Sequence, residues 1–145
     1  MENSVNEMDI NAQQAFVKFV KCCLIPEKAD RFAKLSETKN GQRKILDSLN
    51  HHFESAIRSN AIRSSSYDKF LDSPCFVFHS PLGFGAEFDS VREAYDKLSI
   101  EDGWLILLRD GSIGIHRPEA RWDDEKLIAD QLTFTNSQLP GRRKA

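Results

Sequence analysis

Four histidines, His51, His52, His79 and His116, are the side chains of this sequence whose charge can change near neutral pH. Paired imidazoles can act as general acid and general base, as in metal-independent cleavage of RNA. His51 and His52 are adjacent, and on a helix adjacent residues face different ways, so they cannot chelate or catalyse together from one face. His79 and His116 each lie near the end of a strand-like run, CFVFHS and SIGIHR. If those strands are neighbours, the two rings converge beside Ser80 and Glu87, and His79, His116 and Glu87 form a candidate hydrolytic or nucleolytic group.

Other chemistries find less support. Cys22, Cys23 and Cys75 make an odd set with two adjacent members, which suits neither a disulfide framework nor a zinc site, and buried reduced thiols are expected. Glu119, Asp123, Asp124 and Glu125 could gather around magnesium, but Glu125 and Lys126 are adjacent where metal nucleases separate the acid and the lysine by one residue. Acids at a helix start explain the cluster without a metal. Gly83-Phe84-Gly85 lacks the further glycine or Gly-Lys-Ser/Thr of a phosphate loop, and Glu87 would repel phosphate. No Gly-x-Ser-x-Gly elbow occurs. No cofactor and no metal are therefore expected.

The element that must position these residues is GWLILLRDGSIGIHR, residues 103–117. Asp110-Gly111 suits a two-residue hairpin loop, which sets Leu107 opposite Gly114, Leu105 opposite His116 and Trp104 opposite Arg117. Period two then gives Trp104, Ile106, Leu108, Ile113 and Ile115 one face, predicted to be core. The other face, with Leu105, Leu107, Gly114 and His116, is mixed.

Ahead of the hairpin lie amphipathic patterns. Ala12, Ala15, Phe16, Phe19, Val20 and Cys23 form a stripe on a helix that Asp9 or Asn11 can cap. Pro26 suits the start of a second helix, and Asn40-Gly41 its stop. A third helix is expected over about residues 42–58. SNAIRSSS, residues 59–66, is a polar break. Strands at 75–80 and 84–88 flank a turn at Ser80-Pro81-Leu82-Gly83, with Gly83 and Gly85 as bulge positions. Ser90 and Glu93 open a helix, Trp122 to Asp130 reads as helical, and Leu132 to Thr135 as a last short strand. The expected fold class is α+β: N-terminal helices, then a mainly antiparallel sheet in β-β-α-β-β order with helices packed on one face. The expected organisation is a disordered arm at 1–9, a helical segment at 10–62, a β-β-α-β-β-α segment at 67–137 packed with it as a single domain, and a disordered tail at 138–145.

A net charge of −2 recruits neither nucleic acid nor an anionic membrane, and the basic positions between Lys28 and Arg63 are interleaved with acids, as on a solvated face. No apolar run approaches the roughly 20 residues of a membrane span, and MENSVNEMDI lacks a signal's basic and apolar regions, so the cytosol is the expected compartment. Ten Phe and two Trp are generous for 145 residues. Phe84, Trp104 and Trp122 lie near turns or segment ends and, with Arg117, are the expected binding surface. The reading that follows is a non-enzymatic module binding another protein: an adaptor, inhibitor or immunity-type protein. The alternative is a metal-independent hydrolase or nuclease using the histidine pair. Self-association through the amphipathic helices is a further expectation.

Overall fold

A computed structural model describes residues 11–98, 102–118 and 125–130. The order is α1 (Ala12–Cys23), α2 (Pro26–Leu35), α3 (Lys39–His51), α4 (Phe53–Ala56), β1 (Ile62–Ser64), a 3-10 turn (Asp68–Phe70), β2 (Cys75–His79), β3 (Gly83–Phe88), α5 (Val91–Tyr95), β4 (Trp104–Leu108), β5 (Ile113–Arg117) and β6 (Lys126–Ala129). The class is α+β, with helices preceding one antiparallel sheet of order β1-β6-β5-β4-β2-β3. No helix among the described residues is long and apolar enough to cross a membrane.

The helices begin where their sequences can satisfy free N–H groups. Asn11 caps α1 by accepting from Gln14 N–H at 2.8 Å, and the Gln14 side chain returns the bond to Asn11 at 2.9 Å. Pro26 occupies the first turn of α2, and Ser90 accepts from Glu93 N–H to open α5. The third helix departs from expectation at both ends. It begins at Thr38, which caps Gly41 N–H at 2.9 Å, and it breaks at His52 before α4. Asn40-Gly41 therefore lies inside α3 and is not the stop of α2. Gly41 is present for proximity, since a Cβ there would overlap the Leu35 carbonyl. The Ile25 N–H bonds Ala56 O at the end of α4 at 2.9 Å, and beyond it the Arg58 N–H bonds Cys23 O at 2.8 Å, which ties the α1–α2 joint to the end of α4 and the residues after it.

The hairpin has the expected register: Trp104 opposite Arg117, Leu105 opposite His116, Ile106 opposite Ile115 and Leu107 opposite Gly114. Its loop is longer than two residues. Gly111 N–H bonds Leu108 O at 2.8 Å with Gly111 at φ 76°, and Asp110 accepts from Ser112 N–H at 2.9 Å. In the first hairpin the i to i+3 bond runs from Leu82 N–H to His79 O, one position earlier than expected, and the register shifts around Gly85. Two further expectations fail. The polar break at 59–66 contains β1, and the segment expected as helix to Asp130 carries β6, which is paired with β1 on one side and β5 on the other. Lys126-Leu127-Ile128-Ala129 is an unbroken apolar run after its first residue, and it is stabilised as a strand by two neighbours rather than by its own periodicity. The expected strand at Leu132 to Thr135 lies outside the described residues.

Both faces of the sheet are buried along its central strands β6, β5, β4 and β2. Phe76, Phe78, Leu105, Leu107 and Ile128 pack against α1 to α4. Cys75, Val77, Trp104, Ile106 and Ile115 pack against Val91 and Ala94 of α5, so this short helix adds cover to the face opposite the main helical layer. The face expected to be mixed is thus the one that seats most of the helices. Gly41→Ala should lower stability by roughly 1–3 kcal/mol, because main chain cannot move aside as a side-chain tip can. Urea denaturation measures this, and an unchanged midpoint would show that α2 and α3 are free to separate.

Candidate functional site

The histidines expected to converge do not. Pairing across β2, β4 and β5 puts His79 on the α5 face with Trp104, and His116 on the helical-layer face with Leu105. Each ring has a structural task. His79 Nδ1–H donates to Gly103 O at 3.3 Å, and His116 Nε2–H donates to Leu49 O at 3.1 Å while its ring lies 5.2 Å from that of Phe53. Burial lowers the His79 pKa from its ordinary value, although the Gly103 carbonyl and the charge of Asp102 act the other way. Glu87 pairs with Phe76 on edge strand β3 and meets Arg109 at 3.5 Å, with the guanidinium 4.9 Å over the Phe76 ring. Three interstrand steps separate Glu87 from His116, about 14 Å at the usual strand spacing.

The described members of the expected aromatic binding surface do not form an exposed patch. Trp104 and Arg117 are buried at 3% and 4% exposure, and the Trp104 ring stands edge-on to Tyr95 at 5.6 Å. Phe84 is half-buried, 5.3 Å from Phe16 and 4.8 Å from Phe78. Trp122 lies outside the described residues, as do Glu119, Asp123 and Asp124. Among the described residues no group of three His, Cys, Asp or Glu side chains is placed to hold a metal ion. Burial pushes the Cys23 and Cys75 thiols up to about 12, which keeps them protonated and unreactive.

What the fold does build is a groove of about 750 Å³ on the outer side of the helical layer, between α2, α3 and α4. Helical spacing aligns Lys28, Arg31, Phe32 and Leu35 on one stripe of α2, and Lys44, Asp47 and Ser48 on the facing stripe of α3. The two stripes meet because α3 runs back along α2 after the short turn at Glu37-Thr38, held by Gln42 Nε2–H on Ser36 O at 2.9 Å. Phe32 and Ala56 floor the groove and are themselves buried, while Lys28, Arg31 and Lys44 stand exposed on its walls. Against these three cations the lining carries one carboxylate, Asp47, in a chain whose net charge is −2. Low-dielectric walls strengthen the field of such cations inside a concavity.

In the sequence these cations are interleaved with acids, as on an ordinary solvated face. Each stripe is visible in its own helix, but only the pairing of α2 with α3 brings the two into one concavity.

Comparison with protein-family models, with curated proteins and with solved structures gave no match.

His79 also makes folding sensitive to acid. Burial disfavours its charged form, so below the unfolded value of 6.5 the unfolded chain takes up a proton more readily than the folded chain. The stabilisation is complete above that pH and falls as the pH drops toward the depressed folded value. The urea midpoint should fall between about pH 7.5 and about pH 5, and His79→Gln should flatten that fall. An identical pH profile in the variant would show that His79 does not titrate differently in the two states. A water-soluble thiol reagent should modify the half-exposed Cys22 in the folded protein and reach Cys23 and Cys75 only on unfolding, as mass spectrometry of the labelled chain would show.

Proposed function

We propose that this chain is a non-enzymatic protein-binding module that engages its partner through the groove between α2, α3 and α4. The observation that carries the reading is a concave, cation-walled surface with an apolar floor, built on α2, α3 and α4. Specific interfaces combine an apolar centre with a charged rim, and this groove has both. The histidine-pair alternative loses its geometric basis, because the rings occupy opposite faces of the sheet and each is hydrogen-bonded to backbone.

The test is capture by the full chain with chemical cross-linking, followed by purification of the captured protein and titration. The reading expects a saturable complex that the paired substitution Arg31→Glu with Lys44→Glu weakens at least about tenfold, in line with losses at charged interface pairs. Both positions are exposed, so the variant should keep its unfolding free energy, measured by urea denaturation, to within about 0.5 kcal/mol. A partner retained at full affinity by this folded variant would place the interface elsewhere and overturn the assignment of the groove.

A further inference from the structure

We infer that the groove between α2, α3 and α4 takes a short acidic peptide segment of a partner protein, a few carboxylate side chains flanking an apolar one; this rests on the binding-module reading above.

The inference comes from the distribution of donors and acceptors along the lining. Lys28 and Arg31 on α2 and Lys44 on α3 supply cationic donors. The remaining polar groups supply acceptors. Ser48 gives its hydroxyl proton to Ile45 O at 2.6 Å, and Ser55 gives its proton to His52 O at 2.9 Å. Their free lone pairs, with the Asp47 carboxylate, are positioned to receive N–H groups. A peptide with acidic side chains presents both complements, carboxylates for the cations and backbone N–H for the acceptors. A phosphate backbone presents acceptors only, and it would meet Asp47 and two hydroxyls that have no proton left to give.

The floor argues the same way. Nucleic-acid sites without sequence preference stack bases on open aromatic faces. Phe32 is 8% exposed and is committed to edge contacts with Phe16 at 6.4 Å and Phe53 at 5.6 Å, so it can receive an aliphatic side chain but cannot carry a base. A lipid headgroup layer is flat, whereas these cations line the walls of a concavity. The span from Lys44 to His52 is about 12 Å at the helical rise, enough for about four extended residues at about 3.3 Å each. The contact is therefore short and its affinity modest and salt-dependent, because partly exposed charges are screened over about 10 Å at 0.1 M salt.

Fluorescence anisotropy with the full chain tests this. The probe is a labelled octapeptide of Asp and Glu around a central leucine. The comparison probes are the same peptide with lysine at every acidic position, an oligothymidylate, and vesicles containing phosphatidylserine. The expected result is saturable binding of the acidic peptide alone, weakened at least about tenfold by Arg31→Glu with Lys44→Glu and by high salt, and changed less than about twofold by Arg43→Glu, an exposed cation outside the groove. Equal loss in the Arg43→Glu control would mean that net charge and not the groove governs binding. Stronger binding of the oligothymidylate or the vesicles would overturn the peptide assignment. So would doubling of the protein's solution mass that the paired substitution abolishes, since the occupant would then be a second copy of this chain. If the peptide fails while the captured protein still depends on Arg31 and Lys44, the acidic-peptide inference falls and the binding-module reading stands; if both fail, both fall.

Discussion

The structure depends on a layer of phenylalanine rings that closes the space between helices and sheet. Phe16 contacts Phe32, Phe78 and Phe84, and Phe53 contacts Phe19, Phe32 and the His116 ring. Each large ring removes enough apolar surface from water to contribute roughly 1.5–3 kcal/mol. Because Phe32 joins both sets, α2 is anchored to α1 and α4 at once. The outer groove inherits its floor from that ring, so the interaction that stabilises the core also shapes the surface.

Two polar links cross the same core and fix where α3 ends. The carbonyl of Leu49 receives the His116 ring, and the side chain of Asn50 receives the N–H of Gly103. The carbonyl of Gly103 in turn receives His79 from the other face of the sheet. Buried backbone groups near a helix end need partners, and here strands β2, β4 and β5 and their flanks supply them. The two histidines that looked most like catalytic groups are thus employed in satisfying or bonding main chain. A residue type suited to chemistry near neutral pH is equally suited to a buried hydrogen bond, and sequence does not separate the two.

The sequence expressed what is local. Asn11, Pro26 and Ser90 announced their helices through capping chemistry, and Asp110-Gly111 placed the central hairpin in its observed register. What escaped was decided at long range. Ile62 to Ser64 becomes a strand by pairing with Lys126 to Ala129 across more than sixty residues of chain, and Lys126 to Ala129 is held on its other side by β5. Alternation in Trp104 to Arg117 separated the two faces correctly but could not say that both would be covered, which is why Trp104 and Arg117 looked available and are buried. The groove was illegible for a related reason: Arg31 and Lys44 belong to different helices, and each alone resembles any solvated cation.

The close seat of Gly41 against the carbonyl of Leu35 has a kinetic consequence. Backbone rests on backbone there, so at the end where α2 and α3 are joined neither helix can move toward the other without a clash. On the binding reading proposed above, a ligand would meet walls already set at that end and would wait for no hinge there. Its arrival would then be governed by diffusion and long-range attraction, and its residence by how many charge contacts must break together.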